Sequence, residues 1–316
     1  MRISTFAGLA LALMAAGFAL PQIVQNPYVF FASYVILQYV AIATAWNILG
    51  GYAGYINFGA AGFFGAGAYT AAYLFRTYDA PVAVQVLLAL GVGACLGVAM
   101  GYLTLRIQGI YFAIATIALV VVLETLVDNI PGLGGARGLS ILSPPPPAWF
   151  KGQVQLAFCV MWTIAIASIV VARWVERSWV GRGFRALRAS EAAAESVGVP
   201  TLRLKLLACA LSGGLIAAAG APYPLYASYI EPLGVFNLAI SVNALAMPLI
   251  GGTRSWLGPV IGAFLIASIQ QLATVTISSE LNILVVGVLL ILFVAIAPQG
   301  LLGLLPRFGK SPGNAA

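Results

Sequence analysis

Apolar runs of about 20 residues follow one another along nearly the whole chain, separated by short breaks that hold most of its charge. They fall at residues 4–24, 28–49, 58–75, 82–105, 109–130, 153–171, 206–228, 235–250, 257–277 and 281–305. A run of this length crosses the hydrocarbon core of a bilayer as a helix. The pattern predicts an all-α, polytopic transmembrane bundle of about ten spans. Composition agrees, with 62% of the 316 residues hydrophobic and 7% charged. A soluble domain carries about 25% charge, so a soluble globular fold, a disordered chain and a small disulfide scaffold are excluded. The first run, with Arg2 before it, has the flavour of a signal peptide, but no clean small-residue cleavage site follows. It is expected to be an uncleaved first helix.

The net charge of +7 reads as the positive-inside bias, not as a nucleic-acid footprint. With ten spans and the N-terminus cytoplasmic, Arg2, Arg106, the basic residues of 173–205, Arg254, Arg307 and Lys310 lie inside. Only Arg76, Arg137 and Lys151 lie outside. Dropping one early span would reverse this. The expected organisation is one membrane domain over 1–305 and a short basic cytoplasmic tail over 306–316. Within the domain, 131–152 forms an external loop and 173–205 a cytoplasmic loop. Gly93, Gly97 and Gly101 repeat every fourth residue, as do Gly213/Ala217 and Gly214/Ala218. Such small-residue faces let helices approach closely.

Few residues can carry chemistry. The chain has no histidine, and Cys95, Cys159 and Cys209 lie singly in apolar runs. No catalytic residue and no metal site is expected. Glu124 lies deep in the fifth run, roughly 22 Å above its start, and Asp128 one turn later. They read either as an outer vestibule or interface, or as an ion site. Gly309-Lys310-Ser311 imitates the end of a phosphate-binding loop, but Leu304 stands where that motif needs glycine. If ATP drives this protein, another chain supplies the ATPase.

Three segments are more informative. Residues 47–69, NILGGYAGYINFGAAGFFGAGAY, set Asn47, Tyr55 and Asn57 among glycines. Broken backbone inside a membrane is tolerated where it is buried in protein or lines a wet cavity. The reading is a broken-helix solute path near mid-bilayer, with Asn243 as a further polar contact, or else close helix packing with satisfied asparagines. Residues 248–259 read as a tight turn with one basic anchor, Arg254. In 181–200, Ser190 suits an N-cap, Glu191 the first helical turn and Gly198 the position after the last. This predicts a short helix over 191–197, with Arg182, Arg185 and Arg188 ahead of it. The alternative is a solvated basic loop against lipid headgroups.

Together these segments resemble the inner-membrane permeases of branched-chain amino-acid ABC importers, of the LivM-like kind. The early glycine-rich signature, the segment GRGFRALRASEAAAESVGVPTLRLKLLA, and LIGGTRSWLGPVIGA with APQGLLGLL carry the likeness across about 28–305. The resemblance implies a non-catalytic subunit of the bacterial inner membrane with both termini cytoplasmic. It implies a second permease, two ATPase subunits holding ATP and Mg²⁺, a periplasmic solute-binding protein, and no cofactor on this chain. It also implies that the short helix is the cytoplasmic coupling helix. Ala193, Ala194 and Gly198 match the E-A-A-x-x-x-G docking motif; Ala192 stands at the glutamate position, with Glu191 one residue earlier and Arg188 before it. Asn57-Phe58-Gly59-Ala60 departs from the S-L-G-H seen in leucine carriers, so urea, short amides or another small solute remain alternatives. An ion-coupled secondary carrier, using Glu124, is the rival from another class.

Overall fold

The structure, a computed structural model, describes residues 3–24, 26–104, 107, 109–141, 150–276, 287–288 and 300–304. Its first helices are α1 (Ile3–Ile23), α2 (Pro27–Asn47), α3 (Ala60–Tyr78), α4 (Val82–Leu103), α5 (Ile110–Asp128) and α6 (Gln153–Arg177). Two short helices follow, α7 (Trp179–Ala189) and α8 (Glu191–Ser196). Then come α9 (Thr201–Gly220), α10 (Tyr223–Ala227), α11 (Pro232–Val235), α12 (Leu238–Gly251) and α13 (Leu257–Thr276). Among the described residues, seven helical stretches are long and apolar enough to cross a membrane. The expected spans at α1 and α3 are helical but are not among those seven. The tenth, 281–305, lies almost wholly outside the described residues, as do Arg2, Arg106 and the basic tail.

Local chemistry sets several boundaries. The Asn26 side chain accepts from the Tyr28 amide and Pro27 opens α2 at its first turn. At its other end α2 widens into a π-helical turn, Ile48–Tyr52, across Gly50 and Gly51. The small-residue face works as expected. A Cβ at Gly97 would lie 2.8 Å from the Cys209 carbonyl carbon, and one at Gly93 would lie 2.5 Å from the Gly213 oxygen. Helices α4 and α9 therefore meet backbone to backbone. The core gathers around α2, α3, α9 and α12, with Tyr34, Trp46, Phe63 and Phe64 buried.

Three boundaries differ from the sequence reading. Residues 173–205 are mostly helix, because α6 continues to Arg177 and α9 starts at Thr201. Charge does not end these helices. The Arg173 guanidinium lies 4.2 Å from the Phe6 ring centre, and Lys205 is 1% exposed; both cations have protein partners and extend their helices. The helix of the eighth run, 235–250, starts later than expected, at Leu238, after the separate short helix α11 and with Asn237 capping α12 through a 2.8 Å bond from the Ala239 amide. The all-α bundle also carries one two-residue antiparallel strand pair, Leu139 opposite Ile230 and Ser140 opposite Tyr229. It ties the 131–141 loop to the α10–α11 connection at the end of the bundle away from α7 and α8.

Candidate functional site at the basic end of the bundle

The glycine-rich segment turns back at the end that carries α7 and α8. After the π-helical turn the chain has no regular structure until α3; several of its polar groups are paired, while Asn47 Oδ1 and Asn57 Nδ2 are buried without a hydrogen-bond partner. The Trp46 indole donates to the Asn57 carbonyl over 2.6 Å. The Asn57 side-chain oxygen accepts from the Gly59 amide at 2.6 Å, and the Phe58 amide donates to the Thr116 hydroxyl at 3.0 Å. The Ala61 amide donates to Ser241 on α12 at 2.9 Å. The start of α3 is thus capped by side chains of two other helices, which offsets its unsatisfied amides. Asn47 donates to the Thr253 carbonyl at 3.2 Å, joining this segment to the α12–α13 turn.

Helices α7 and α8 pack on this segment. Helix α7 buries Val180, Gly181, Phe184 and Leu187, leaves Arg182 exposed, and carries Arg185 and Arg188 at its edge, where each bonds back to the bundle. Ser190 caps α8 by accepting from the Ala193 amide at 3.3 Å, and Gly198 ends it at φ +83°. Ala194 is buried while Val197 is 77% exposed, so α8 presents one face to the bundle and one away from it. Arg188 donates to the Gly51 carbonyl at 2.5 Å. Its stem lies over Gly54, where φ is +85° and a Cβ would sit 2.9 Å from the Arg188 Cγ. Burial first, and then the neighbouring Arg254 charge, lower the Arg188 pKa below the ordinary arginine value. The Tyr55 hydroxyl donates to the Glu191 carboxylate at 2.7 Å. Beneath it the Lys205 ammonium lies 4.7 Å from the Tyr55 ring centre and 5.9 Å from that of Phe112, and donates to the Thr104 carbonyl at 3.1 Å.

The structure therefore joins Tyr55 to Glu191 and Arg188 to Gly51, sets Asn47 and Asn57 in the same segment against Thr253, Trp46 and Gly59, and holds Ala193, Ala194 and Gly198 on or just after α8. The unwound part of the glycine-rich segment lies at the basic end, where Asn47 is 1% and Asn57 0% exposed. Asn243 stands apart, inside the bundle, donating to the Tyr39 hydroxyl and accepting from Gln270, both at 3.2 Å. Glu124 and Asp128 are half-buried in the last turns of α5, at the opposite end. Sequence reasoning misses Lys205, Glu176, Tyr39 and Gln270. A signal exists for two of them, a cation one turn into an apolar helix and an amide pair, Gln270-Gln271, within another.

A bundle of apolar helices, interrupted inside the protein and carrying a short capped helix at its basic end, defines an all-α polytopic membrane protein as its class. The sequence matches the family described as branched-chain amino acid transport system / permease component over residues 28–294, and the chain belongs to that family. It is similar to the high-affinity branched-chain amino acid transport system permease protein LivM of Salmonella typhimurium, 27% identical across 92% of this chain and 74% of that protein. LivM of Escherichia coli is likewise 27% identical, across 92% of this chain and 73% of its own length. The autoinducer 2 import system permease protein LsrC of an Enterobacter species is 31% identical across 61% of this chain and 56% of its own. No solved structure matches the chain.

Proposed function

We propose that this chain is the membrane-spanning permease subunit of an ATP-driven importer for branched-chain or related small amino acids. It works with a second permease, two ATPase subunits that hold ATP and Mg²⁺, and a periplasmic solute-binding protein. The family and the LivM names support the solute class; the LsrC likeness keeps a different small solute as the second reading. The basic end faces the cytoplasm of a bacterial inner membrane, because Arg173, Arg177, Arg182, Arg185, Arg188, Arg203, Lys205 and Arg254 gather there. On this orientation the N- and C-termini are cytoplasmic.

The observation that carries the coupling role is the attachment of α8. Its outer face is free for a partner's groove, while Glu191 and the preceding Arg188 hold Tyr55 and Gly51 of the glycine-rich segment. An ATPase that moves α8 pulls on a π-helical turn, a form often found at functional sites. Tyr55 then acts as a mechanical link between α8 and the bundle. Solute contacts are assigned to the Tyr39–Asn243–Gln270 chain, whose hydroxyl and amides suit a zwitterion at the interior of the bundle. The test is reconstitution of the purified complex in vesicles with a binding protein. ATP-dependent uptake that Gly198→Leu abolishes, while the variant still inserts and assembles, supports the reading. ATP-independent uptake by this chain alone that Glu124→Gln abolishes replaces it with an ion-coupled carrier.

A further inference from the structure

Beside the Tyr55–Glu191 contact lies a pocket that shares Arg188 and Gly51 with the coupling link. The pocket, of about 260 Å³, opens between the ends of α2 and α6, helix α7 and the α12–α13 turn. Its side chains are Tyr52, Glu176, Arg185, Arg188 and Arg254, with the backbone of Gly51 at the wall. Three arginines and one carboxylate line it. That carboxylate is already engaged, because Glu176 accepts from the Trp256 amide at 3.1 Å and has the charges of Arg173, Arg177 and Arg185 around it. Arg185 donates one N–H to the Glu176 carbonyl at 3.2 Å, and Arg188 donates one to Gly51. A guanidinium has five N–H donors in a planar fork, so donors remain on all three arginines. The pocket thus concentrates positive charge and fixed forks in a concave, partly desolvated space.

The oxygen count selects the ligand. A carboxylate offers two oxygens and matches one fork. An anion that meets several forks from different directions needs three or more oxygens and a charge near that of phosphate. Depth points the same way. Trp174 and Trp179, which flank the α6–α7 junction, are 61% and 63% exposed, and exposed indoles at a helix end mark the headgroup layer. We propose that the Arg185–Arg188–Arg254 pocket is a phosphate-group binding site, filled either by an anionic phospholipid headgroup or by free phosphate. Basic pockets among helix ends on the cytoplasmic side are suited to such headgroups.

The site does not depend on the transport reading, so its test needs only binding. The protein is purified in mild detergent with whatever subunits accompany it. In one arm it is placed in nanodiscs of phosphatidylcholine alone or with phosphatidylglycerol, and retained lipid is counted by native mass spectrometry. In the other arm inorganic phosphate is titrated against chloride at equal ionic strength, following thermal stability. Saturable retention of phosphatidylglycerol identifies the headgroup; saturable phosphate binding without lipid retention identifies the free anion. The double variant R185Q/R254Q should weaken whichever is seen by about tenfold or more, because each substitution removes a charge-assisted fork. Arg203→Gln removes a charge at the same end outside the pocket and should leave binding unchanged. Absence of saturable binding in both arms of the unmodified protein overturns the proposal, and so does an equal loss in the Arg203 variant.

Discussion

The Tyr55 hydroxyl donates to the Glu191 carboxylate over 2.7 Å, joining residues 136 positions apart in sequence. One belongs to the glycine-rich return between α2 and α3, the other to the first turn of the short helix α8. Arg188 makes a parallel connection to Gly51. The glycine-rich segment is thus the part of the bundle to which α8 and the end of α7 are bonded.

Tyr55→Phe removes this hydrogen bond and keeps the ring over Lys205. A bond to a charged group is worth about 1.5–3 kcal/mol, so uptake per ATP hydrolysed should fall about tenfold while assembly is preserved. Glu191→Gln keeps an acceptor and should retain most of the coupling. Equal uptake per ATP in Tyr55→Phe and the parent would show that the link transmits nothing. The measurement is solute uptake and ATPase rate in the same vesicles.

A Cβ added at Gly198 would meet nothing within 4 Å, but φ there is +83°. The cost of substitution is then conformational, about 1–2 kcal/mol for an L-residue. Gly198→Asn, which visits this region readily, should retain more thermal stability than Gly198→Val. Docking adds a separate effect, seen only in uptake, that grows with side-chain size. Comparing the two series separates helix termination from partner contact.

The α4–α9 contact gives a matched pair. Gly97→Leu drives a side chain into the Cys209 backbone, whereas Gly91 has open space around it. Overpacking costs about 1–3 kcal/mol or more, so the Gly97 variant should melt several degrees lower in detergent. Gly91→Leu on the same helix should melt with the parent. Equal melting of the two would mean that α4 and α9 do not pack through this face.

Asn243→Leu leaves the Tyr39 hydroxyl and the Gln270 amide without their partner. An unpaired buried polar group costs about 1–3 kcal/mol, so some loss of stability is expected. If solute crosses here, KM for uptake rises more than this loss explains, and Asn243→Ser restores part of it. A variant that loses stability with KM unchanged would make the amide chain purely structural.

The helical membrane class, the order of helices and the close α4–α9 face are legible in the sequence because they rest on hydropathy and the spacing of small residues. The short helix is legible to within a residue: its signals predict 191–197 and the helix is Glu191–Ser196. Those signals are local, a serine that accepts from the Ala193 amide and a glycine free to take positive φ. A break near Gly50 and Gly51 is legible from the glycines, but its π-helical form and the separate short helix α11 are not, because hydropathy and glycine spacing do not specify which hydrogen-bond register the backbone takes.

What the sequence determined by itself is therefore local: which stretches prefer lipid, which residues start and stop a helix, and which faces are small enough for close approach. Tertiary structure alone decided where the polar residues went. Lys205 reads as a loop cation until α9 brings it under Tyr55 and against the Thr104 carbonyl, 101 positions away. Arg254 reads as a lone turn anchor until the α12–α13 turn sets it beside Arg185 and Arg188. These placements depend on long-range packing that excludes water and favours pairing of the polar groups it buries, and hydropathy along a chain holds no information about which partner each one meets.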